Sequence, residues 1–370
     1  MKLSLARPAP VAGSGTARGR FALGAAGVCA GALVVVNPLA CASTTPNTFS
    51  VTPPDGSAGS SSGGDAATSD SATLIPDGGL GNNDAPSSSE CPGGASKYIY
   101  VVDDQNEMYT FDPTLVPAAT AFADLGPLNC PGEPTPPPDN GGVNSMAVDR
   151  QAIAWVNFND GKIFKVDTTQ SGLPCTATNF SEGNTGFTPQ LGMGFATVSS
   201  TSTSETLYVS DNGGPGGSCM STTPGPGCMG LGLGSISQTQ SNMTLASIGP
   251  YTGSAAGYNA ELSGTGDGVL YGFFTTTPSE LGTIDKSSGA VSNIIPLPTV
   301  NNSVGGYAFS FWGGDFWIYT AFPTNADPDA TTSVTHVVSA DGGVSVVMPD
   351  IGFTIVGAGS STCVPTAPTQ

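Results

Sequence analysis

The 370-residue chain predicts an all-β fold made of repeated four-stranded sheets. Three observations carry this expectation. The composition is rich in Gly (52) and Pro (31), and only 10% of residues are charged. That suits short strands joined by many turns and not helices. An apolar–aromatic–apolar strand centre recurs five times along the chain. The first copy also lacks one strand, while a strand without a partner follows the last.

Residues 1–42 read as an export signal. Arg18 and Arg20 give the positive flank, and Phe21 to Val36 form a sixteen-residue apolar core, short for a membrane span. Two processing routes follow. Leu39-Ala40-Cys41 resembles the lipobox of bacterial lipoproteins, which implies lipidation of Cys41 and a place on the outer membrane or cell surface. Ala40-Cys41-Ala42 is also a small-x-small site, which allows ordinary cleavage and a secreted or periplasmic protein. Residues 43–94 are rich in Ser, Gly, Pro and Asp with almost no apolar clustering. Such a segment buries too little surface to offset chain entropy and is expected to act as a disordered tether.

Residues 95–366 carry the repeat, with 367–370 as a tail. The strand centres are IYVV at Ile99–Val102, AWVN at Ala154–Asn157, LYVS at Leu207–Ser210, LYGF at Leu270–Phe273 and FWIY at Phe316–Tyr319. Their aromatics, Tyr100, Trp155, Tyr208, Tyr271 and Trp317, are spaced by 55, 53, 63 and 46 residues. Each centre is followed by a turn and a second strand: MYTFD, IFKVD, LGSIS, LGTID, VTHVV. An outer strand then ends in an apolar–Gly/Pro corner, as in ADLGP, ASIGP, NIIPLP and VVMPDI. Before each of the last four centres lies a further strand: NSMAVD, GMGFATV, AELSG, GYAFSFW. Four strands per unit at this period predict a single β-propeller of five four-stranded blades, with loop insertions in the longer intervals.

The ends predict how the ring closes. Unit one has no innermost strand, and Ile351 to Cys363 looks like an innermost strand with nothing after it. The C-terminal strand is therefore expected to complete the first blade, which removes an exposed sheet edge. Cys363 and Cys91 then flank the one interrupted hairpin, and a disulfide between them would replace the missing covalent link. Cys219 and Cys228 flank a Gly/Pro loop, which suggests a local staple. Cys130 and Cys175 pair by elimination. Six cysteines in an exported domain suit an oxidising compartment.

On these LYVS-, YIYVV- and KIFKVD-type strands, residues 95–366 resemble the broad group of YVTN/NHL/quinoprotein-dehydrogenase-like β-propellers of exported bacterial proteins. The resemblance implies a fold. It brings no catalytic motif with it.

Charge narrows the partners. Once residues 1–42 are removed, five basic residues (Lys97, Arg150, Lys162, Lys165 and Lys286) face 28 acidic ones. Nucleic acid and anionic lipid surfaces would be repelled, so any membrane association would run through a lipid on Cys41. Catalytic signals are sparse. His336 is the one histidine, and the repeated region holds no G-x-S-x-G elbow and no P-loop. GLGLGS at Gly230–Ser235 leads into a strand, so the dinucleotide-loop context fails. Asp103, Asp104 and Glu107 cluster in one turn, and Asp327 and Asp329 sit in NADPDATT; calcium is the one ion these oxygens suggest, and no other cofactor is expected. Turn chemistry accounts for such Asp residues without a metal. Alternation puts Tyr307, Phe309 and Phe311 on one face of a strand with Trp312 at its end, where it could stack on a ligand. The long insertions PGEPTPPPDNGG and DNGGPGGSCMSTTPGPGCMG are where binding would be expected on a rigid scaffold. The sequence thus predicts a monomeric, non-catalytic binding or scaffold module that engages a protein or glycan through its loop face. Tyr307, Trp312, Asp103 and Asp104 are the candidate ligand-facing residues. The alternative is an extracytoplasmic lyase or glycoside hydrolase using funnel carboxylates, with or without calcium.

Overall fold

A computed structural model describes residues 91–138, 141–214, 223–225, 227–238, 243–300, 306–322 and 330–368. The export signal, Cys41, most of the tether, Cys219, Asp327 and Asp329 lie outside them. The chain forms strands β1 (Ile99–Asp103), β2 (Glu107–Phe111) and β3 (Phe122–Pro127), then β4 (Val143–Val148), β5 (Ile153–Phe158), β6 (Ile163–Asp167) and β7 (Cys175–Ala177). Next come β8 (Leu191–Thr197), β9 (Glu205–Asp211), β10 (Leu233–Ile236), β11 (Leu245–Gly249), β12 (Ala260–Gly264), β13 (Leu270–Phe274), β14 (Ser279–Ile284) and β15 (Val291–Leu297). The last five are β16 (Gly306–Trp312), β17 (Asp315–Ala321), β18 (Thr332–Val337), β19 (Val344–Met348) and β20 (Ile355–Ser360).

These strands make five four-stranded antiparallel sheets, the blades of a β-propeller. Blades 2 to 5 each use four consecutive strands, from β4 to β19. Blade 1 has the order β20-β1-β2-β3. The C-terminal strand therefore supplies the innermost strand of the first blade, with Tyr100 opposite Gly359 and Val101 opposite Ala358. The innermost strands pack in a closed ring, β20 to β4 to β8 to β12 to β16 and back to β20.

Small residues let that ring close tightly. A Cβ on Gly192 would lie 1.9 Å from the carbonyl oxygen of Ala260, and one on Gly194 would lie within 3 Å of Leu262. The matched advance shows that β8 and β12 run in the same direction. Gly357 and Gly359 approach Met146 and Val148 in the same way. All the innermost strands thus start on one face of the ring, here called the mouth, and end on the far face.

Burial follows distance from the axis. β8 is buried at every position, whereas β15 and β19 leave Ile294 and Val346 exposed. The aromatic column fills the seams between blades. Trp155 meets Phe195 of the next blade edge-on at 5.7 Å, and Trp317 meets Phe111 at 5.4 Å. Lys165 lies over the Trp155 ring at 4.0 Å.

Two disulfides join described residues. Cys91 pairs with Cys363, with Cα atoms 6.0 Å apart, and Cys130 with Cys175, at 5.0 Å. Cys228 is also disulfide-bonded. Cys91 and Ala95 are buried together with Ala152 and Cys363, so the ordered packing begins within the stretch expected as tether. The innermost strand of blade 1 is shorter than the expected Ile351–Cys363, because Ser361 to Cys363 turn away towards the disulfide. β7 spans only three residues, and its first is the bridged Cys175.

Candidate functional site

The mouth collects the starts of the innermost strands and the turns between second and third strands. Asp103 and Asp104 fall here, since Asp103 lies opposite Ile355 at the start of β20. Asp103 is buried, at 3% exposure. Its carboxylate accepts the backbone N–H groups of Gln105 (2.9 Å) and Glu107 (2.8 Å) and the Tyr109 hydroxyl (3.3 Å). Burial pushes its pKa up, and these bonds oppose the rise. Asp104 is exposed and accepts the Gln105 amide at 3.3 Å. Asp103 thus builds the turn from inside while Asp104 points to solvent, and the two do not converge on a ligand.

A belt of uncharged side chains crosses the blade seams at the mouth. Asn106 accepts the Val143 N–H at 3.1 Å and donates to the Pro134 carbonyl, tying blade 1 to blade 2. Asn144 donates to Asn157 (3.2 Å) and to the Leu191 carbonyl (3.1 Å), reaching blade 3. Gln190 donates to Asn159 at 2.8 Å, and Asn212 donates to Gln190 at 3.4 Å. Asn259 of blade 4 donates to Asn212 at 2.8 Å and, in a very short bond, to the Tyr307 hydroxyl of blade 5. Thr275 donates to Asn259 at 2.6 Å. The Pro-rich insertion joins this face, with Glu133 paired to Lys162 at 2.6 Å. The insertion between β9 and β10 also leaves and returns at this end.

The axis itself is closed by packing. Glu261 of β12 lies within it at 4% exposure and accepts the Ser145 hydroxyl of β4 at 2.7 Å. Burial pushes the Glu261 carboxyl up to about 8, although Ser145 and the Met193 N–H favour the charged form. Ser263 and Ser360 meet at 3.2 Å, and Ser263 also accepts the Phe311 N–H.

Trp312 sits at the opposite end of β16 from Tyr307. It is 7% exposed, and its indole donates to the Lys97 carbonyl at 2.9 Å. It is core, and its ring is covered where a ligand-stacking role would need it open. Tyr307, Phe309 and Phe311 all face blade 4, with Phe311 stacked on Tyr271 at 5.4 Å. Tyr307 alone reaches the belt. His336 stacks on Trp317 at 4.5 Å and bonds Asp315 at 2.9 Å, on a third strand away from the axis. Among the described residues, no three His, Cys, Asp or Glu side chains gather closely enough to hold a metal ion.

On the far face, the turn after β4 brings together residues whose role the sequence left unread. Asp149 accepts the Trp155 indole (3.0 Å) and the backbone N–H groups of Gln151 and Ile153. Arg150 is 6% exposed; its guanidinium donates to Thr362 (3.3 Å) and lies 3.8 Å from the Cys91 sulfur. Glu205 accepts the Arg150 N–H and the Thr362 hydroxyl, each at 2.8 Å. Burial pushes its carboxyl up to about 7, Asp149 adds to the rise, and Arg150 opposes it. Glu205 borders a cleft of about 520 Å³. The one available signal was that Arg150 is the only arginine beyond residue 42.

The fold and its two faces define a five-bladed β-propeller sealed by its own C-terminal strand. No family model matches the chain, and no curated protein matches it. Solved structures resemble it at low identity. One is a structural genomics protein of unknown function from Bacteroides thetaiotaomicron, at 15% identity and a TM-score of 0.37, covering 68% of this chain and 57% of that one. Another is apo AztD from Citrobacter koseri, at 9% identity and 0.35, covering 70% and 97%. A third is the β-propeller domain of Myceliophteria thermophila Cps50 (Swd1), at 8% identity and 0.32, covering 68% and 86%. The chain thus spans little more than half the length of the first of these.

Proposed function

We propose that this chain is an exported, non-catalytic binding module that engages a protein or glycan at the cell surface through its mouth face. The observation that carries this reading is the uncharged belt from Asn106 to Tyr307, contributed by all five blades and flanked by the long insertions. Its half-buried members Asn144, Gln190, Asn212 and Tyr307 present amide and hydroxyl groups on a rigid support. Lipidation at Cys41 and a tether from residue 43 to the disulfide at Cys91 would hold the ring away from an anchor. The disulfides suit folding in an oxidising compartment. In this reading the protein is monomeric, works without a cofactor and belongs to the YVTN/NHL-like group of propellers.

The test uses the labelled mature chain on producing cells that lack their own copy. Saturable binding is expected, removed by protease if the partner is a protein or by periodate if it is a glycan. An Asp104→Lys/Gln105→Lys variant, changed only on the exposed mouth turn, should bind at least tenfold more weakly. Equal binding by that variant would sink the mouth reading. Release of new reducing ends from envelope polysaccharide would favour the hydrolase alternative, for which the raised Glu205 carboxyl beside Asp149 is the supporting observation.

A further inference from the structure

We propose that the cleft on the far face, between the turn after β4 and the ends of β9 to β11, is a second binding site that takes a neutral sugar ring at Glu205. This inference is independent of the mouth reading, because it concerns the other end of the strands.

At about 520 Å³ the cleft lies within the range of small-molecule sites. Its walls are mostly hydroxyls and amides, among them Gln151, Ser204, Thr206, Ser235 and Gln238, with Arg150 and Glu205 as the two ionisable members. Ile236 and Ala246 are the apolar members. Such a surface offers both donors and acceptors, as a polyol requires, and little area for an apolar ligand.

The ionisable pair argues against a strongly charged ligand of either sign, since Arg150 and Glu205 line the cleft together and offset one another. The Arg150 guanidinium is turned towards Thr362 and the Cys91–Cys363 bridge. Glu205 itself is held from behind. One oxygen takes the Arg150 N–H and the other takes the Thr362 hydroxyl, which fixes the carboxyl plane. Beyond these two bonds the carboxyl keeps further hydrogen-bonding positions, acceptors when it is ionised and an added donor when it is protonated, and neighbouring hydroxyls of a neutral sugar ring can satisfy either form.

The experiment is isothermal titration of the full mature chain, disulfides intact, with maltotriose, cellotriose and tri-N-acetylchitotriose. Spermidine and trigalacturonate serve as the cationic and anionic comparisons. Saturable one-to-one binding of at least one neutral trisaccharide is expected. Gln151→Trp, on an exposed turn residue, should fill the cleft and weaken that binding at least tenfold while leaving the melting temperature within a few degrees. Glu205→Gln should weaken it several-fold, because the amide nitrogen cannot accept. Tyr307→Phe, on the mouth, should leave it unchanged. No binding by any neutral trisaccharide overturns the proposal. So does binding that survives Gln151→Trp, or a site that takes spermidine or trigalacturonate in preference.

Discussion

Ser145 and Glu261 meet across the axis of the ring, where the Ser145 hydroxyl of blade 2 donates to the Glu261 carboxyl of blade 4 over 2.7 Å. Burial holds that carboxyl up to about 8, against an ordinary value of 4.5. Between pH 5 and 8 the folded chain therefore keeps a proton that the unfolded chain releases. Stability is highest at the acidic end of this window and falls as pH rises through it. Glu205 adds a smaller fall of the same sign, up to about pH 7. Glu261→Gln should remove about 2–4 kcal/mol of that pH dependence. Urea titrations at pH 5, 7 and 9 check it; parallel curves for wild type and variant would refute it.

Gly192 has no room for a side chain, since its Cβ would sit 1.9 Å from a backbone oxygen of the next blade. Gly192→Ala should cost about 3 kcal/mol or more, because a strand must shift to admit the methyl group. Gly225→Ala, with no heavy atom within 4 Å of the added Cβ, should cost far less. Thermal melts of the pair decide the point.

The Cys91–Cys363 bridge closes a sequence separation of 272 residues, and Cys130–Cys175 closes 45. In the chain-entropy account the longer loop gains more, so Cys91→Ala/Cys363→Ala should lose about 2–5 kcal/mol and Cys130→Ala/Cys175→Ala somewhat less. The reverse order in denaturant titrations would mean that the ring-closing bridge is a minor element.

Tyr307 links Asn259 to Asn212 through one hydroxyl. Tyr307→Phe should remove one hydrogen bond from each of these amides and cost about 1–2 kcal/mol. Amide exchange of the β12 and β16 backbones should quicken with it, while the seam between blades 1 and 2 stays protected.

The blades were legible because their second strands repeat an aromatic at one position, and that aromatic has one job, filling the next seam. Closure was legible by subtraction, from a first unit short of a strand and a last strand without a partner. β7 was not. Cys-Thr-Ala has no apolar alternation, and a disulfide holds it where side-chain burial does not. The belt was hidden because Asn106, Asn144, Asn212 and Asn259 stand far apart in sequence, in turns where Asn is common for local reasons. Trp312 ends β16 as the alternation predicts, but sequence does not say which face of a ring a strand end reaches. Asp103 shows the same limit: a carboxylate in a turn reads alike whether it holds the turn together or looks outward.

Because Tyr100 finds its neighbour at Gly359, a nascent chain can finish blades 2 to 5 in order while blade 1 waits. Until β20 arrives, β1 keeps an open row of backbone donors and acceptors. Completion is thus recorded in the molecule itself. A half-made chain offers β1 to proteases and to other unfinished chains, and a finished one withdraws that invitation in a single step.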